Sequence, residues 1–179
     1  SLLGMQSDIL LNNSATFVLR ESQNRVKSMA LIHQILYESS DFSSVDFSTV
    51  IESLVNNLSL SYALDSSKIT VDVQTDPVFL PIDTSIPLGL IINELCSNAM
   101  KYAFVDQASG NIIIRLAYFE TDRLRLQITD DGVGIPETFD IENASSLGLQ
   151  LVHLLSEQIS AELNIQRSNP TSFTLLIPI

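Results

Sequence analysis

The sequence predicts an α+β fold in which helices cover one face of a β-sheet, and three observations favour it. Hydrophobic residues make up 45% of the 179 residues and charged residues only 17%, which is typical of a chain with a substantial core. Several segments alternate apolar and polar residues, as half-buried strands do. Between them, apolar residues recur every three or four positions, as on amphipathic helices. The two patterns succeed each other along the chain, which indicates one layered domain.

The N-terminal part predicts a helical hairpin that is cut short at its start. Residues 1–11 indicate the end of an amphipathic helix, and NNS at 12–14 supplies turn and N-cap residues. A second helix over 25–39 carries an apolar stripe suited to packing on other helices. The stripe consists of Val26, Met29, Ala30, His33, Leu36 and Tyr37. Because the chain starts at Ser1 without an initiator Met, we expect it to be the C-terminal part of a longer protein.

The remaining elements follow in the order helix, strand, helix, two strands, loop, helix, two strands. The serine-rich segment 37–46 predicts a linker, and Asp46 predicts the N-cap of a helix that runs to about residue 63. Two further helices are predicted at about 86–102 and 147–160. Strands are predicted at 69–73, 112–116, 124–128, 163–165 and 173–177.

Charge and cysteine content exclude several classes of function. Nine Lys and Arg against 21 Asp and Glu give a formal net charge of −12, which disfavours nucleic acid and anionic membrane as partners. A bound polyanion would need local compensation by backbone N–H groups, a lysine or a divalent metal. The single cysteine, Cys96, excludes a disulfide framework and a multi-cysteine zinc site. Since no apolar run approaches the roughly 20 residues of a membrane helix, we expect a cytoplasmic location.

The segment NELCSNAMKY, 93–102, places three polar groups on one side of a helix. Glu94, Asn98 and Lys101 are spaced i, i+4 and i+7. The Asn98 oxygen is a hard ligand suited to Mg²⁺, Lys101 can reach a phosphate, and Glu94 can order a water or polarise an acceptor. A solvated polar helix face explains the same pattern. The other side carries Leu88, Ile91, Leu95 and Ala99.

The segment DDGVGIP, 130–136, follows a predicted strand. Asp130 at the strand end can accept a hydrogen bond from an exocyclic amine, and Gly132 and Gly134 would let the backbone approach a flat ring. Asp131, one step along, points the other way, so the two carboxylates need not share a site. The alternative interpretation is a plain strand-exit turn.

The segment SSLGLQLV, 145–152, opens a predicted helix. Helix N-termini offer free N–H groups to phosphate, and Gly148 would admit a phosphate closely. Between Gly134 and Gly148 lie 13 residues without clear periodicity. That loop is either a lid over a ligand or a variable connection.

In this order, NELCSNAMKYAF, DDGVGIP, SSLGLQLV and TSFTLLIP resemble the N, G1, G2 and final-strand boxes of the Bergerat-fold ATPases, and most closely those of bacterial sensor histidine kinases. RVKSMALIHQILYES, 25–39, resembles the second dimerisation helix of HWE/HisKA_2-type kinases. The resemblance covers nearly the whole chain. It implies a two-layer α/β sandwich with a mixed sheet, preceded by a truncated helical hairpin. Residues 1–40 would be the partial dimerisation hairpin and 41–179 the HATPase catalytic domain.

The resemblance also implies a site for ATP and Mg²⁺. Asp130 would bind the adenine amine and Asn98 the Mg²⁺. Glu94 would be the acid/base or polarising group, and Lys101 would contact phosphate. The further nucleotide-binding residues implied are Tyr102, Gly132, Gly134, Ser146, Leu147, Gly148 and Thr171.

Three positions depart from the family pattern. Asp131 stands where many members have Asn, a second glycine before Gly148 is missing, and Pro170 replaces the glycine of the final-strand box. Lid geometry and phosphate affinity are the properties that these departures affect most. The family's phosphoacceptor motif, which resembles His-Arg-Val-Lys-Asn-Asn-Leu, does not occur in the chain. For His33 we expect a packing or polar-rim role, and for His153 a surface position.

The implied function is that of the ATP-binding catalytic part of a two-component sensor histidine kinase. It would transfer the ATP γ-phosphoryl group to a histidine outside this chain and then to a response regulator receiver domain. A homodimer through the hairpin is also implied. One alternative is a degenerate nucleotide-binding scaffold that acts through dimerisation. Another is a sigma-factor-regulating serine kinase or an ATPase of the same fold, against which the helix at 25–39 argues.

Overall fold

The structure is a computed structural model that describes residues 19, 21–35, 44–105, 107–139, 147–168 and 170–179. The predicted first helix, its turn and most of the linker lie outside the described residues. So do Leu36, Tyr37 and Ser146, and most of the loop before residue 147.

The described helices and strands follow the predicted order. The helices are α1 (21–35), α2 (Phe47–Ser61), α3 (Ile82–Asn98), which continues into a π-helical turn (Ala99–Ala103), and α4 (Leu147–Gln158). The strands are β1 (Val45–Asp46), β2 (Ile69–Thr75), β3 (Phe79–Leu80), β4 (Gly110–Phe119), β5 (Arg123–Asp130), β6 (Glu162–Gln166) and β7 (Thr171–Pro178). The pairing of β1 with β3 as a small antiparallel ribbon was not predicted. Among the described residues, no helix combines the length and apolar character needed to cross a membrane.

The main sheet has five strands in the order β2-β4-β5-β7-β6. Strand β2 runs parallel to β4 and the other neighbours are antiparallel, so the sheet is mixed. Its period-two pattern buries one face, with Ile114 of β4, Leu126 of β5 and Leu175 of β7 each 0% exposed. Helices α2, α3 and α4 share one apolar core with this face, which confirms the predicted two-layer α+β architecture.

Helix α2 begins where the sequence predicts. The Asp46 carboxylate accepts a hydrogen bond from the Ser48 backbone N–H (3.1 Å) and another from the Thr49 hydroxyl (3.1 Å). These bonds satisfy donors at the open first turn, as an N-cap does. The prediction that Asp46 caps this helix is confirmed.

Helix α3 begins four residues earlier than predicted. The prediction placed its start at about residue 86, next to Pro87. The backbone N–H groups of Thr84 and Ser85 already bond the Pro81 carbonyl (3.1 and 2.9 Å), so the first turn forms before the proline. Pro87 therefore lies inside the helix.

Helix α3 is buried on both sides rather than on one. Leu88, Ile91 and Leu95 are buried as predicted, but Asn93 and Glu94 are each only 2% exposed as well. The reason is that α3 is the central helix: it packs on α2 and α4, and α1 bonds its polar residues. The interpretation of Glu94 as part of a solvated polar face is wrong.

Helix α1 buries a different face from the predicted apolar stripe. Val26 and Met29 of the stripe are 65% and 44% exposed, whereas Ser28 and Ile32 are buried. A β-carbon built on Gly89 of α3 would lie 2.9 Å from Ile32 Cδ1, so this glycine lets the two helices approach closely. The described part of the stripe therefore remains open to other helices.

Candidate functional site

The turn after β5 lies directly against the end of α3. Val133 donates its backbone N–H to the Ala103 carbonyl at 2.8 Å, and Ala103 ends the π-helical turn, a feature that often occurs at functional sites. This contact brings Asp130, at the end of β5, to the same end of the molecule as Asn98, at the end of α3. Two segments separated by about thirty residues of sequence thus meet at one end of the molecule.

The glycines of the turn are explained by contacts within the protein. A β-carbon on Gly132 would lie 2.2 Å from the Ala103 carbonyl oxygen, and one on Gly134 would lie 3.0 Å from the Arg167 carbonyl oxygen. Gly134 also has a φ of +84°, which favours glycine. A β-carbon at either position would thus meet the end of α3 or the β6–β7 connection, and the predicted approach of the backbone to a flat ring stays a prediction.

Asp130 and Thr171 face each other across β5 and β7 and are 7% and 3% exposed. The Asp130 carboxylate accepts a hydrogen bond from the Gly132 N–H at 3.1 Å. Burial raises the pKa of Asp130. The bond from Gly132 and the nearby Thr171 hydroxyl lower this pKa, but by less than burial raises it. Within the described residues the Thr171 hydroxyl has no partner at hydrogen-bond geometry. A buried acid beside an unsatisfied hydroxyl fits a small polar ligand group, such as an aromatic amine.

The Asp131 carboxylate has different hydrogen-bond partners from the Asp130 carboxylate. The Asp131 carboxylate accepts hydrogen bonds from the Asn111 backbone N–H (2.6 Å) and the Asn111 side-chain amide (2.7 Å). These bonds tie the end of β5 to the start of β4. The two adjacent carboxylates therefore have different partners, as the alternation of a strand predicts.

Glu94 is held by an arginine from α1. Arg25 donates from Nε to Glu94 Oε1 (2.7 Å) and from Nη2 to Glu94 Oε2 (2.9 Å), which raises the pKa of Arg25. A β-carbon on Gly148 would lie 2.6 Å from Glu94 Oε2 and 3.3 Å from Arg25 Nη2. The pair thus lies against Gly148 in the first turn of α4.

Lys101 is also held by α1. Its ammonium group forms an ion pair with Glu21, and the two side chains are only 10% and 15% exposed. The ammonium group lies 5.4 Å from the centre of the Tyr102 ring. Tyr62 donates its hydroxyl to Glu21 at 3.2 Å. Both residues predicted to be catalytic are therefore ion-paired with one helix.

Sequence reasoning missed Glu21, Arg25 and Ser28. Ser28 donates its hydroxyl to Asn93 Oδ1 at 2.5 Å and completes the row of contacts between α1 and α3. The three residues are spaced i, i+4 and i+7, so they share one helix face. Glu21 lies before residue 25, where the sequence predicted the helix to begin, and the prediction rested on an apolar stripe on another face of that helix.

The remaining predicted site residues lie at the same end of the domain. Asn98 is half-buried, and in the described part of the chain its amide has no hydrogen-bond partner. Tyr102 is 55% exposed, and Leu147, the first residue of α4, is 62% exposed. Among the described residues, no group of three or more His, Cys, Asp and Glu is arranged to hold a metal ion.

The two histidines differ in their surroundings. His33 is exposed on α1. His153 is half-buried on α4, and its Nε2 atom is buried without a hydrogen-bond partner among the described residues. The expectation of a surface position for His153 is wrong, because its ring lies partly inside the helical layer.

Arg167 anchors the start of the loop after Gly134. Its Nη1 group donates to the carbonyls of Pro136 and Phe139, each at 2.9 Å. The Ile135 N–H returns a bond to the Arg167 carbonyl at 2.7 Å. The first residues of the predicted lid are thus fixed on the β6–β7 connection, and both interpretations of the rest of the loop stay open.

The domain has a mixed sheet backed by helices, a buried aspartate at a strand end and a polar central helix. Comparison with known families identifies this domain. Residues 83–179 match the family described as "Histidine kinase-, DNA gyrase B-, and HSP90-like ATPase", and residues 1–62 match HisKA_2, described as "Histidine kinase". The chain belongs to the histidine kinase-, DNA gyrase B- and HSP90-like ATPase family.

Similar proteins are named histidine kinases. The chain is 40% identical over 99 residues to Blue-light-activated histidine kinase 2 of Erythrobacter litoralis, which covers 55% of this chain and 29% of the relative. It is 32% identical over 183 residues to Sensor histidine kinase PdtaS of Mycobacterium tuberculosis, which covers 100% of this chain and 36% of the relative. The chain thus spans about a third of the length of these relatives.

A solved structure shares the fold. The histidine kinase domain from the Erythrobacter litoralis EL346 blue-light activated histidine kinase superposes with a TM-score of 0.79 at 29% identity. The match covers 87% of this chain and 73% of that chain. Membership in this family implies that the domain binds ATP.

Replacing Asp130 by Asn tests the energetic effect of the buried carboxylate. The pKa of Asp130 is raised in the folded protein, so ionisation at neutral pH destabilises the folded state relative to the unfolded state. An uncharged amide can still accept from Gly132 and can donate to Thr171. We expect Asp130→Asn to raise the free energy of unfolding by about 0.5–2 kcal/mol at pH 7, measured by urea unfolding without nucleotide.

The pH dependence and a neighbouring variant provide the controls. The gain should shrink as the pH falls through the raised pKa of Asp130 and vanish well below about 3.9, the ordinary pKa of aspartate, because Asp130 is then protonated in both states. Asp131→Asn should give no gain, since its carboxylate is satisfied by Asn111. A less stable Asp130→Asn protein at pH 7, or a stability difference that does not change with pH, would contradict this account.

Proposed function

We propose that the chain is the ATP-binding catalytic part of a two-component sensor histidine kinase, which transfers the ATP γ-phosphoryl group to a histidine and then to a response regulator receiver domain. The observation that carries the proposal is the buried pair of Asp130 and Thr171, at the point where β5 meets the end of α3. The family matches and the named histidine kinases support it.

The adenine end of the proposed site is formed by Asp130 and Thr171. A carboxylate accepts a hydrogen bond from an exocyclic amine, and the free Thr171 hydroxyl can donate to a ring nitrogen directly or through a water. Both groups are buried, and the Thr171 hydroxyl has no partner at hydrogen-bond geometry among the described residues, so a ligand group that bonds it would be favoured. Gly132 and Gly134 fix the turn that holds Asp130, and the exposed Tyr102 ring offers an apolar surface beside this end.

The phosphate end is formed by α3 and the start of α4. The first turn of α4, with Ser146 before it and Leu147 and Gly148 within it, supplies backbone N–H groups. Lys101 contacts phosphate once Glu21 releases it. Asn98 is the ligand proposed for a Mg²⁺ ion that neutralises phosphate charge when bound with ATP. The lack of an acidic metal cluster among the described residues fits a metal that arrives with the nucleotide.

Glu94 is proposed as the acid/base or polarising group of the transfer. As it stands, both of its oxygens accept hydrogen bonds from Arg25, so they are engaged before any reacting group binds. The role therefore requires the Arg25 contact to loosen as the reacting groups assemble. Phosphoryl transfer relies on positioning and charge stabilisation, so small shifts of α1 would alter its rate.

The organisation of the chain and its assembly are proposals as well. We propose that residues 1–40 belong to a dimerisation hairpin and residues 41–179 to the catalytic domain. The exposure of Val26 and Met29 supports a homodimer through this hairpin, because apolar side chains on an exposed helix face favour helix packing. A cytoplasmic location stays a prediction.

Titration with ATP tests the adenine contact. We expect the wild-type protein to bind ATP and Asp130→Ala to bind it at least about 100-fold more weakly, because a buried charge-assisted hydrogen bond is lost. The measurement is isothermal titration calorimetry. The control is Asp131→Ala, which removes the adjacent carboxylate and should change affinity by less than about threefold.

The outcomes separate the candidate functions. Equal losses in Asp130→Ala and Asp131→Ala would show that the turn, rather than the Asp130 contact, is needed. A wild-type protein that does not bind ATP would leave only a scaffold that acts without nucleotide.

Removal of the Asn98 amide tests the proposed metal contact. In the wild type we expect ATP to bind more tightly with Mg²⁺ than with EDTA. In Asn98→Ala this difference should fall by about tenfold, because Mg²⁺ keeps few protein ligands and loses one of them. Asn56→Ala, an exposed position on α2, should behave like the wild type. Retention of the full Mg²⁺ effect in Asn98→Ala would exclude Asn98 as the ligand.

A further inference from the structure

One face of α1 carries three polar residues, and each of them bonds a polar residue of α3 or of its π-helical turn. Glu21 pairs with Lys101, Arg25 pairs with Glu94, and Ser28 bonds Asn93. The spacing of the three α1 residues is i, i+4 and i+7. Glu94 and Lys101 are also seven residues apart on α3, so the two rows run along each other.

The guanidinium of Arg25 lies at the phosphate end of the proposed site. It bonds both oxygens of Glu94, and its Nη2 atom lies 3.3 Å from where a β-carbon of Gly148 would be. Gly148 is in the first turn of α4, whose free N–H groups suit an anion. Arg25 is 22% exposed and Glu94 2% exposed, so the pair is largely shielded from water.

Arg25 supplies the positive charge that lies next to the Glu94 carboxylate at this end. Arg25 and Lys101 carry two positive charges, and Glu21 and Glu94 carry two negative charges. Without Arg25, the carboxylate of Glu94 would stand alone beside the bound phosphates. Repulsion between like charges a few Å apart is strong in a partly buried site. The remaining chain offers little general compensation, because its formal net charge is −12.

We propose that Arg25 is a further positioning residue of the nucleotide site. It neutralises Glu94 and fixes the orientation of its carboxylate, so that the triphosphate can bind at the start of α4. The inference rests on the proposed function, since it concerns the phosphate end of the same ATP site. It assigns a role in ATP binding to a residue outside the predicted catalytic domain, and thereby couples the position of α1 to the charge of that site.

The test compares ATP with adenosine, which lacks the phosphates. Binding constants are measured by calorimetry for the wild type, Arg25→Gln, Arg25→Lys, and Arg25→Gln combined with Glu94→Gln. We expect Arg25→Gln to weaken ATP binding by about tenfold or more and adenosine binding by less than about twofold. The double variant should recover most of the lost ATP affinity, because it removes the unpaired carboxylate as well. Arg25→Lys should bind ATP more tightly than Arg25→Gln.

A matched variant controls for total charge. Lys27 lies two residues along the same helix and is exposed, so Lys27→Gln removes one positive charge without touching the pair. It should bind ATP within about twofold of the wild type. Thermal unfolding of each variant without nucleotide shows whether the fold is retained. The double variant has no unpaired buried charge, so it keeps the comparison available if Arg25→Gln is poorly folded.

The possible results distinguish this inference from the proposed function. If the wild type binds ATP and Arg25→Gln binds it equally well or more tightly, Arg25 does not assist binding and the inference is overturned. Equal weakening of ATP and adenosine would show that Arg25 supports only the fold, which also overturns it. If the wild type binds neither ATP nor adenosine, the proposed function itself fails.

Discussion

The site depends on one close approach between two backbones. The turn after β5 packs on the π-helical end of α3, with the Val133 N–H on the Ala103 carbonyl and with Gly132 leaving room for that oxygen. A side chain at residue 132 would separate the two elements, and Asp130 would no longer lie beside the end of α3. The roles proposed for Asp130, Asn98 and Lys101 on one ligand depend on this contact.

Electrostatics is the second constraint. An acidic chain that binds a polyanion has to supply positive charge locally, and this chain holds both of its candidate cations, Arg25 and Lys101, in ion pairs between α1 and α3. Asp130 is subject to a related electrostatic effect, because burial raises the pKa of its carboxyl group in the absence of a ligand. Asp130 thus supports the proposed function without stabilising the fold in the absence of a ligand.

The sequence predicted the five strands of the main sheet and their order along the chain. A sheet with one buried face needs apolar residues at every second position, as at Ile112, Ile114 and Leu116. The motif residues were also visible, since Asp130, Asn98 and Gly148 are spaced along elements whose type the pattern identifies. Tertiary contacts were not visible. The sequence of α3 contains nothing that shows α1 covering Glu94, and Gly132 looks the same whether a ligand or the Ala103 carbonyl occupies its open side.

A crystal structure of the protein with Mg²⁺ and a non-hydrolysable ATP analogue tests the central claim most directly. The account predicts the adenine amine at hydrogen-bond distance from the Asp130 carboxylate, the metal on the Asn98 oxygen and the phosphates at the start of α4. A nucleotide bound elsewhere, or one whose base leaves Asp130 and Thr171 without contacts, would contradict it.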